Sequence, residues 1–470
     1  MTRSRKSWAM FLATRIAGLV ADSAVLAVAY WGAFLLRFDF AQPRWGWRGV
    51  ALSFAPVCFI HLCSLLACGC YRLAWRRFAF DYLPRFLIAP FIACVVLTAI
   101  RVLTPMDNFL HVRPPYSITL MMSILSAAGL IGWRVLWRWL ALRLVTPDAL
   151  LERKVRTMDT SVAARFLGGR TVMVTGAGGS IGSEIVRQVA ACGPKTLLLV
   201  ERGENALYEI DREMRSKPGC TCTLKSLLVD VGDPERLDEI FSEFRPEVVL
   251  HAAAYKHVPM VEMNPREGER NNVQATRTLA EAARRHGVAR FVLISTDKAV
   301  NPVSVMGRTK REAERTVLSL NTPDGEGGTS FCAVRFGNVL GSSGSVVPLF
   351  REQIERRTAL TVTHPDMVRY FMTVEEAVGL VLQAASRSEK AIYTLDMGKP
   401  VRILDLAEQM IRQAGYRPYV DIPIVYTGIR PGEKLAEELD ISEKSAFKTD
   451  MARIYVTRDG LPQGCSRGAS

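Results

Sequence analysis

Acidic residues are nearly missing from the first third of this 470-residue chain: residues 1–150 hold five Asp and no Glu against 16 Lys and Arg, a balance of +11. The other 320 residues carry 44 basic and 41 acidic side chains, which leaves only +3 of the formal +14 to them. A nucleic-acid protein shows its basic excess as a stripe on a soluble domain, whereas an excess confined to an apolar third is a membrane-topology signal, so no nucleic-acid partner is expected. Histidine is also scarce, with six in the chain, and none of the ten cysteines joins a Cys/His set at zinc-ligand spacing. No metal site is expected. Five cysteines (Cys58, Cys63, Cys68, Cys70, Cys94) lie in apolar runs, and Cys220-x-Cys222 is tighter than the usual redox pairs, which reads as reduced thiols in a reducing compartment. With 49% hydrophobic and 23% charged residues and a mean hydropathy of +0.12, the composition excludes a disordered or collagen-like chain.

Four apolar stretches, about Arg15 to Leu36, Val50 to Cys70, Phe86 to Leu103 and Tyr116 to Leu136, each approach the ~20 residues that cross a bilayer and are too many and too long for a signal peptide. Trp8, Trp31, Trp45, Trp47, Trp133, Trp137 and Trp139 lie near their ends, as an aromatic belt would. Positive charge orients the bundle. Arg3, Arg5 and Lys6 precede the first span, Arg72, Arg76, Arg77 and Arg85 separate the second and third, and Arg138, Arg143, Arg153, Lys154 and Arg156 follow the fourth. The two remaining loops hold fewer (Arg37, Arg44 and Arg48 in one, Arg113 in the other), so both termini are expected on the cytoplasmic side of the inner membrane. Asp22 falls inside the first span, where snorkelling or an interhelical partner is the expectation rather than transport.

Beyond a polar connector the pattern changes to short apolar strands alternating with amphipathic helices, the signature of a Rossmann-type, doubly wound parallel sheet. The strand Thr171 to Val174 runs into Thr175-Gly176-Ala177-Gly178-Gly179-Ser180-Ile181-Gly182 and a helix, a turn whose glycines let backbone N–H groups approach a pyrophosphate. A second strand ends at Glu201, placed to hold an adenosine ribose, with Arg202 beside it leaving a 2′-phosphate possible; Asp230 and Val231 follow a third strand on the adenine side. Both NAD and NADP stay open. Small residues Ala252 and Ala253 end the next strand and let the dinucleotide lie close. His251 and His257 lack metal partners and read as structural. The strand Phe291 to Ile294 then delivers Ser295-Thr296-Asp297-Lys298 to the carboxyl edge of the sheet, and a helix beginning near Met306 sets Met306 and Lys310 on one face. A hydroxyl, an acid and two lysines converging at a sheet edge can move protons.

On these residues the chain resembles the membrane-bound polysaccharide-biosynthesis family (CapD-type) of nucleotide-sugar 4,6-dehydratases, in the extended short-chain dehydrogenase/reductase superfamily. The resemblance covers the apolar region, including Gly69-Cys70-Tyr71-Arg72 and Trp75-Arg76-Arg77, and runs from Gly169 to about Leu439. Its most specific pieces are Thr175 to Glu184, Ala252 to Pro259, Ser295 to Pro302, Met306 to Lys310, Arg335 to Val346, Arg369 to Thr373 and Arg430-Pro431-Gly432-Glu433-Lys434. Met306 is telling, because relatives of other activities usually carry tyrosine there. The implied organisation is a four-helix transmembrane region at 1–145, a connector at 146–170, a dehydratase domain at 171–440 with a smaller C-terminal substrate-binding subdomain, and a short tail at 441–470. Long members carry an extra nucleotide-binding-like domain where the connector lies and continue further past the Arg-Pro-Gly-Glu-Lys segment, so an internal deletion and a shortened end are expected here.

The resemblance implies a UDP-N-acetylglucosamine substrate, a tightly bound NAD or NADP regenerated each turnover, and a homo-oligomer in the membrane. Hydride leaves C4, water is eliminated across C5 and C6, and hydride returns to C6. In this scheme Lys310 bonds the nicotinamide ribose, Thr296 orients the sugar, Asp297 is the acid for the 6-hydroxyl and Lys298 the base at C5. Met306 cannot exchange a proton. Asn338 and the turn from Ser342 to Ser345 are placed near the nucleotide and pyrophosphate, with Arg430 and Glu433 closing on uridine and ribose, and Lys256 is a further substrate contact. Two rival readings remain: a UDP-sugar 4-epimerase, and a membrane scaffold that binds nucleotide without turnover.

Overall fold

The computed structural model describes residues 2–40, 46–71, 83–103, 114–143, 161–219, 222–322, 328–439, 441 and 445–457. Arg44, Trp45, Arg72, Trp75 to Arg77, Arg113, the connector to residue 160, Cys220 and the tail from Asp459 lie outside the described residues, as do the side chains of residues 2–16, 46 and 137–143.

The N-terminal unit is four helices, α1 (Thr2–Arg37), α2 (Gly46–Ala67), α3 (Leu83–Leu103) and α4 (Tyr116–Arg143). Each contains a 21-residue stretch long and apolar enough to cross a membrane: Ala17–Arg37, Trp47–Ala67, Leu83–Leu103 and Tyr116–Leu136. Large apolar side chains such as Val28, Phe59, Phe91 and Ile124 face outward, an arrangement a bilayer satisfies and water does not. The inside is packed by Leu26, Tyr30, Phe34, Met122 and Leu130, and several of its polar groups are bonded there. Tyr30 donates to the Val50 carbonyl at 2.6 Å and lies 2.5 Å from Ser53 Oγ. Asp22 has the interhelical partner its position calls for: Arg134 Nη2 on α4 donates to Asp22 Oδ2 at 2.6 Å, with both side chains at most 3% exposed. The same guanidinium donates to the Leu130 carbonyl at 3.1 Å and lies 4.0 Å from the centroid of the Phe86 ring, so one cation joins α1, α3 and α4. All eight described cysteines are free thiols.

The second unit is built on a nine-stranded sheet. Its strands are β1 (Thr171–Thr175), β2 (Thr196–Glu201), β3 (Thr223–Leu228), β4 (Val248–His251), β5 (Arg290–Ile294), β6 (Ser330–Arg335), β10 (Ile392–Leu395), β13 (Ala446–Lys448) and β14 (Ile454–Thr457). In space they run β3-β2-β1-β4-β5-β6-β10-β14-β13, all parallel except β14, which pairs antiparallel with both β10 and β13. Alternation along β1 sends Val172 and Val174 into the core on one face, covered by the helices Ser180–Ala191, Glu204–Ser216 and Val374–Ala385. Met173 enters the core on the other face, under Pro234–Phe244, Ala275–Arg285 and Val305–Ser319. Strand order reverses between β1 and β4, and that switch opens a crevice at the carboxyl ends of the strands.

Past β6 the chain leaves the main sheet to form two small ones, β7 (Asn338–Val339), β9 (Val368–Met372) and β11 (Pro400–Arg402) in one, and β8 (Leu360–Val362) with β12 (Ile424–Tyr426) in the other. Residues 446–457, expected within a short tail, instead return to the main sheet as β13 and β14. The reason lies in Ile454-Tyr455-Val456-Thr457, a β-branched alternation that buries Ile454 and Val456 against β10.

Replacing Asp22 alone with leucine is expected to cost about 3–5 kcal/mol, because Arg134 is then buried without a counter-charge, and the double replacement Asp22→Leu/Arg134→Leu should recover most of that loss. Thermal unfolding of the detergent-solubilised protein measures both, and equal losses in the single and double variants would contradict the ion-pair account.

Candidate active site

β1 ends at Thr175 and the chain turns at Gly176 with φ +68°, a conformation costly for any side chain. A Cβ on Gly176 would lie 2.7 Å from Ala253 N, and one on Gly182 only 1.9 Å from Gly176 O. The turn, the helix Ser180–Ala191 and the end of β4 thus close on one another as backbone. Gly179 caps that helix without a side-chain bond, and Gly179 to Gly182 line the crevice, so the start of the helix is open to an anion there.

Two cavities open from this turn. The smaller, about 220 Å³, is lined by Gly176, Gly179, Glu201, Arg202, Asp230, Val231, Ala252 and Ala253, together with Tyr255 and Asn271. Glu201 is fixed at its floor, accepting from the Gly178 N–H at 3.1 Å and from the Arg202 and Gly203 N–H groups at 3.0 Å. Arg202 donates to Asn271 Oδ1 at 3.0 Å and stacks on Tyr255, with its guanidinium carbon 4.6 Å from the ring centroid. A ribose diol and a 2′-phosphate each have a partner at this end.

The larger cavity, about 520 Å³, continues from Gly179, Ser180, Ile181 and Gly182 to the ends of β5 and β6. Thr296, Lys298, Met306 and Lys310 line it, and so do Lys256, Asn338, Ser342 and Ser345. Lys310 is buried and donates to the Ile294 carbonyl at 2.6 Å; burial pushes its ammonium down to about 8, against the opposing pull of Glu314. Ser295 Oγ donates to Glu314 Oε1 at 2.5 Å, and Arg335 holds both oxygens of the same carboxylate at 2.8 and 2.6 Å.

Asp297 stands behind the wall, 2% exposed and outside the cavity lining. Its Oδ1 accepts from Thr296 Oγ1 at 2.9 Å and from Lys298 Nζ at 3.0 Å, and both of those partners reach the cavity. Lys298 Nζ also donates to Asn338 Oδ1 at 3.1 Å. On the opposite wall Lys256 Nζ donates to the Ser343 carbonyl at 2.7 Å, with burial holding its ammonium below the usual lysine range. Ser345 Oγ is buried without a partner, and the Ser343 N–H donates to Ser180 Oγ at 3.0 Å, tying the serine turn to the helix Ser180–Ala191.

Arg430 and Glu433 line none of these cavities; they sit on a C-terminal segment, where the Arg430 N–H donates to Glu433 Oε2 at 3.2 Å. His251 is structural as expected, bridging Thr175 Oγ1 at 2.7 Å and Thr276 Oγ1 at 2.9 Å, and burial depresses it to about 3. His257 instead reaches the large cavity, packed so that a Cβ on Gly344 would lie 2.5 Å from its ring. Two further residues were not foreseen. Asn272 pins the loop after β4 through both Tyr255 backbone groups and Thr309, and Glu437, 7% exposed, lies 3.8 Å from Lys298. Glu437 follows the Arg-Pro-Gly-Glu-Lys run by three residues, which was the available signal. Among the described residues no group of three His, Cys, Asp or Glu side chains is placed to hold a metal.

The chain is 50% identical over 299 residues to the capsular polysaccharide biosynthesis protein CapD of Staphylococcus aureus, an alignment covering 63% of this chain and 49% of that protein. It therefore spans about half the length of that relative. It is 31% identical over 289 residues to a UDP-N-acetylglucosamine 4,6-dehydratase (inverting) of Campylobacter jejuni, covering 61% and 82% of the two chains. Identity is also 31%, over 293 residues, with a UDP-glucose 4-epimerase of Rickettsia akari, covering 62% and 84%. Among solved structures, Pen of Bacillus thuringiensis matches with a TM-score of 0.57 at 31% identity, over 62% of this chain and 90% of that one. The fold is shared with DesIV, a dTDP-glucose 4,6-dehydratase of Streptomyces venezuelae solved with NAD and TYD bound, at a TM-score of 0.50, 21% identity and coverage of 57% and 88%. Residues 172–459, from β1 through β14 and more than half of the chain, match the polysaccharide biosynthesis protein family, and the protein belongs to that family.

Proposed function

We propose that this protein is a UDP-N-acetylglucosamine 4,6-dehydratase of surface-glycan synthesis, held in the inner membrane by its four apolar helices with the catalytic domain in the cytoplasm. The observation that carries the reading is the joined pair of cavities with Thr296, Lys298 and Lys310 on one wall and Asp297 bonded to two of them from behind. The glycine cradle, Glu201 and Asp230 fit a nicotinamide dinucleotide. Bound there, it supplies reversible hydride acceptance without an external reductant.

This chain's own residues handle the protons. Lys310 holds the nicotinamide ribose and keeps a positive charge near the reacting carbon. Thr296 orients the sugar and, as C4 is oxidised, relays the 4-hydroxyl proton to the Asp297 carboxylate it bonds; the resulting ketone acidifies C5, whose proton Lys298 takes. The 6-hydroxyl leaves as water with a proton from Asp297, passed through the Thr296 hydroxyl or the Lys298 ammonium that Asp297 contacts, and Lys298 returns its proton to C5 as hydride reaches C6. Met306 is buried on the cavity wall and adds only shape. An epimerase needs no acid for C6, so the Asp297–Lys298 pair favours elimination over epimerisation. A scaffold that only bound nucleotide would have no use for the pair.

Detergent-purified protein incubated with UDP-N-acetylglucosamine and no added cofactor is expected to yield a nucleotide sugar lighter by one water in mass spectrometry. An isomer of unchanged mass would establish the epimerase instead. Asp297→Asn should slow water loss by about 10²- to 10⁴-fold while the dinucleotide stays bound, and full activity in that variant would remove Asp297 from the mechanism. As pH rises through about 8 the buried Lys310 gives up its proton, so turnover should fall along an alkaline limb. Lys310→Arg, which stays charged, should lack that limb in whatever activity it keeps. A limb unchanged in the arginine variant would assign it to another group.

A further inference from the structure

Glu437 belongs to the C-terminal segment that carries Arg430 and Glu433, yet its carboxylate is buried and turned toward the end of β5. Its Oε1 lies 3.8 Å from Lys298 Nζ and 3.9 Å from Arg369 Nη2. The segment itself is pinned to the loop after β5. Lys434 Nζ donates to the Val300 carbonyl at 3.2 Å, and Asn301 Nδ2 donates to Glu438 Oε2 at 2.8 Å. The Leu435 carbonyl accepts from the Val368 N–H and from Arg369, both at 3.1 Å. A Cβ on Gly432 would fall 2.6 Å from Glu262 Oε1, the oxygen that accepts the Val305 N–H opening the helix of Lys310. The segment therefore rests directly on the elements that present Lys298 and Lys310.

The charged groups facing Glu437 are Lys298, Asp297, Arg369 and Lys434, and burial raises its proton affinity against the pull of the three cations. Lys298 is approached from three elements: Asp297 on its own turn, Asn338 on β7 and Glu437 on the C-terminal segment. Asp297 alone leaves a four-carbon stem free to swing. Asn338 and Glu437 restrict it from two further sides, and a misplacement of about 1 Å in a reacting group can cost on the order of 10²-fold in rate.

We propose that Glu437 is a positioning residue for Lys298, completing the set of partners that aims this lysine into the cavity. The proposal rests on the reading of Lys298 as the C5 base, so its test has one arm independent of turnover.

In the full-length, detergent-purified protein, Glu437→Gln keeps the shape of the side chain and removes its charge. Reductive methylation read by peptide mass spectrometry is expected to modify Lys298 several-fold faster in Glu437→Gln than in the unaltered protein, with exposed Lys399 as the internal reference. With UDP-N-acetylglucosamine, kcat for water loss and for solvent-deuterium exchange at C5 should fall about 10- to 100-fold with KM nearly unchanged. Glu438→Gln, which loosens the same segment without touching Lys298, should leave both readouts close to those of the unaltered protein. Equal Lys298 reactivity with and without Glu437, or the same losses in Glu438→Gln, would overturn the proposal and reduce Glu437 to a counter-charge for Arg369 or a segment latch. If the unaltered protein neither loses water nor exchanges C5 while Lys298 still becomes more reactive in Glu437→Gln, the dehydratase reading fails and the positioning role stands.

Discussion

The Glu314 carboxylate, buried behind the reaction cavity, is the joint on which the site depends. It accepts from Ser295 at the end of β5 and from Arg335 at the end of β6, and it lies one turn beyond Lys310 on the helix Val305–Ser319. Each partner stands next to a working group: Ser295 leads into Thr296, Asp297 and Lys298, and Arg335 leads into Phe336, Gly337 and Asn338. A buried ion pair contributes little net stability when its desolvation is counted, but removing one partner strands the other. The paired strands β5 and β6 and the helix of Lys310 are thereby tied together at the end of the sheet where the cavity lies. In the proposed mechanism the precision that proton transfer requires comes from this joint, because hydrophobic burial alone fixes volume better than direction.

The two units answer to different solvents. In the helical unit apolar side chains face outward and the charged pair Asp22–Arg134 faces inward, whereas in the sheet unit the apolar residues are inside and the surface is mixed in sign. The lopsided distribution of acidic residues along the chain follows from that division. Aspartate and glutamate are costly in hydrocarbon, and the one retained deep in the bundle is matched to a single arginine.

Much of this was legible in the residues. Hydropathy marked the four long helices, and the strand-turn-helix rhythm with Gly176, Gly179 and Gly182 marked the nucleotide crevice, because both depend on local pattern. Thr296, Lys298, Met306 and Lys310 share a cavity because the β5 strand and the helix that follows put them at one edge, a consequence of topology that sequence can anticipate. What sequence did not convey depends on long-range return of the chain. Residues 446–457 join the sheet next to β10, some fifty residues earlier in the chain, and no local feature names that partner. Glu437 reaches Lys298 from a segment about 140 residues away for the same reason, and Asp297 turns behind the wall because its backbone begins a short 3-10 turn there.

The proposed reaction requires that one cavity take hydride from C4 and return the same hydride to C6 after water has left. Incubating the protein with UDP-N-acetylglucosamine deuterated at C4 tests this most directly, with the product read by mass spectrometry and NMR. The account predicts a nucleotide sugar lighter by one water with the deuterium retained at C6. Deuterium still at C4 in an isomer of unchanged mass, or a nucleotide sugar that never changes, would contradict it.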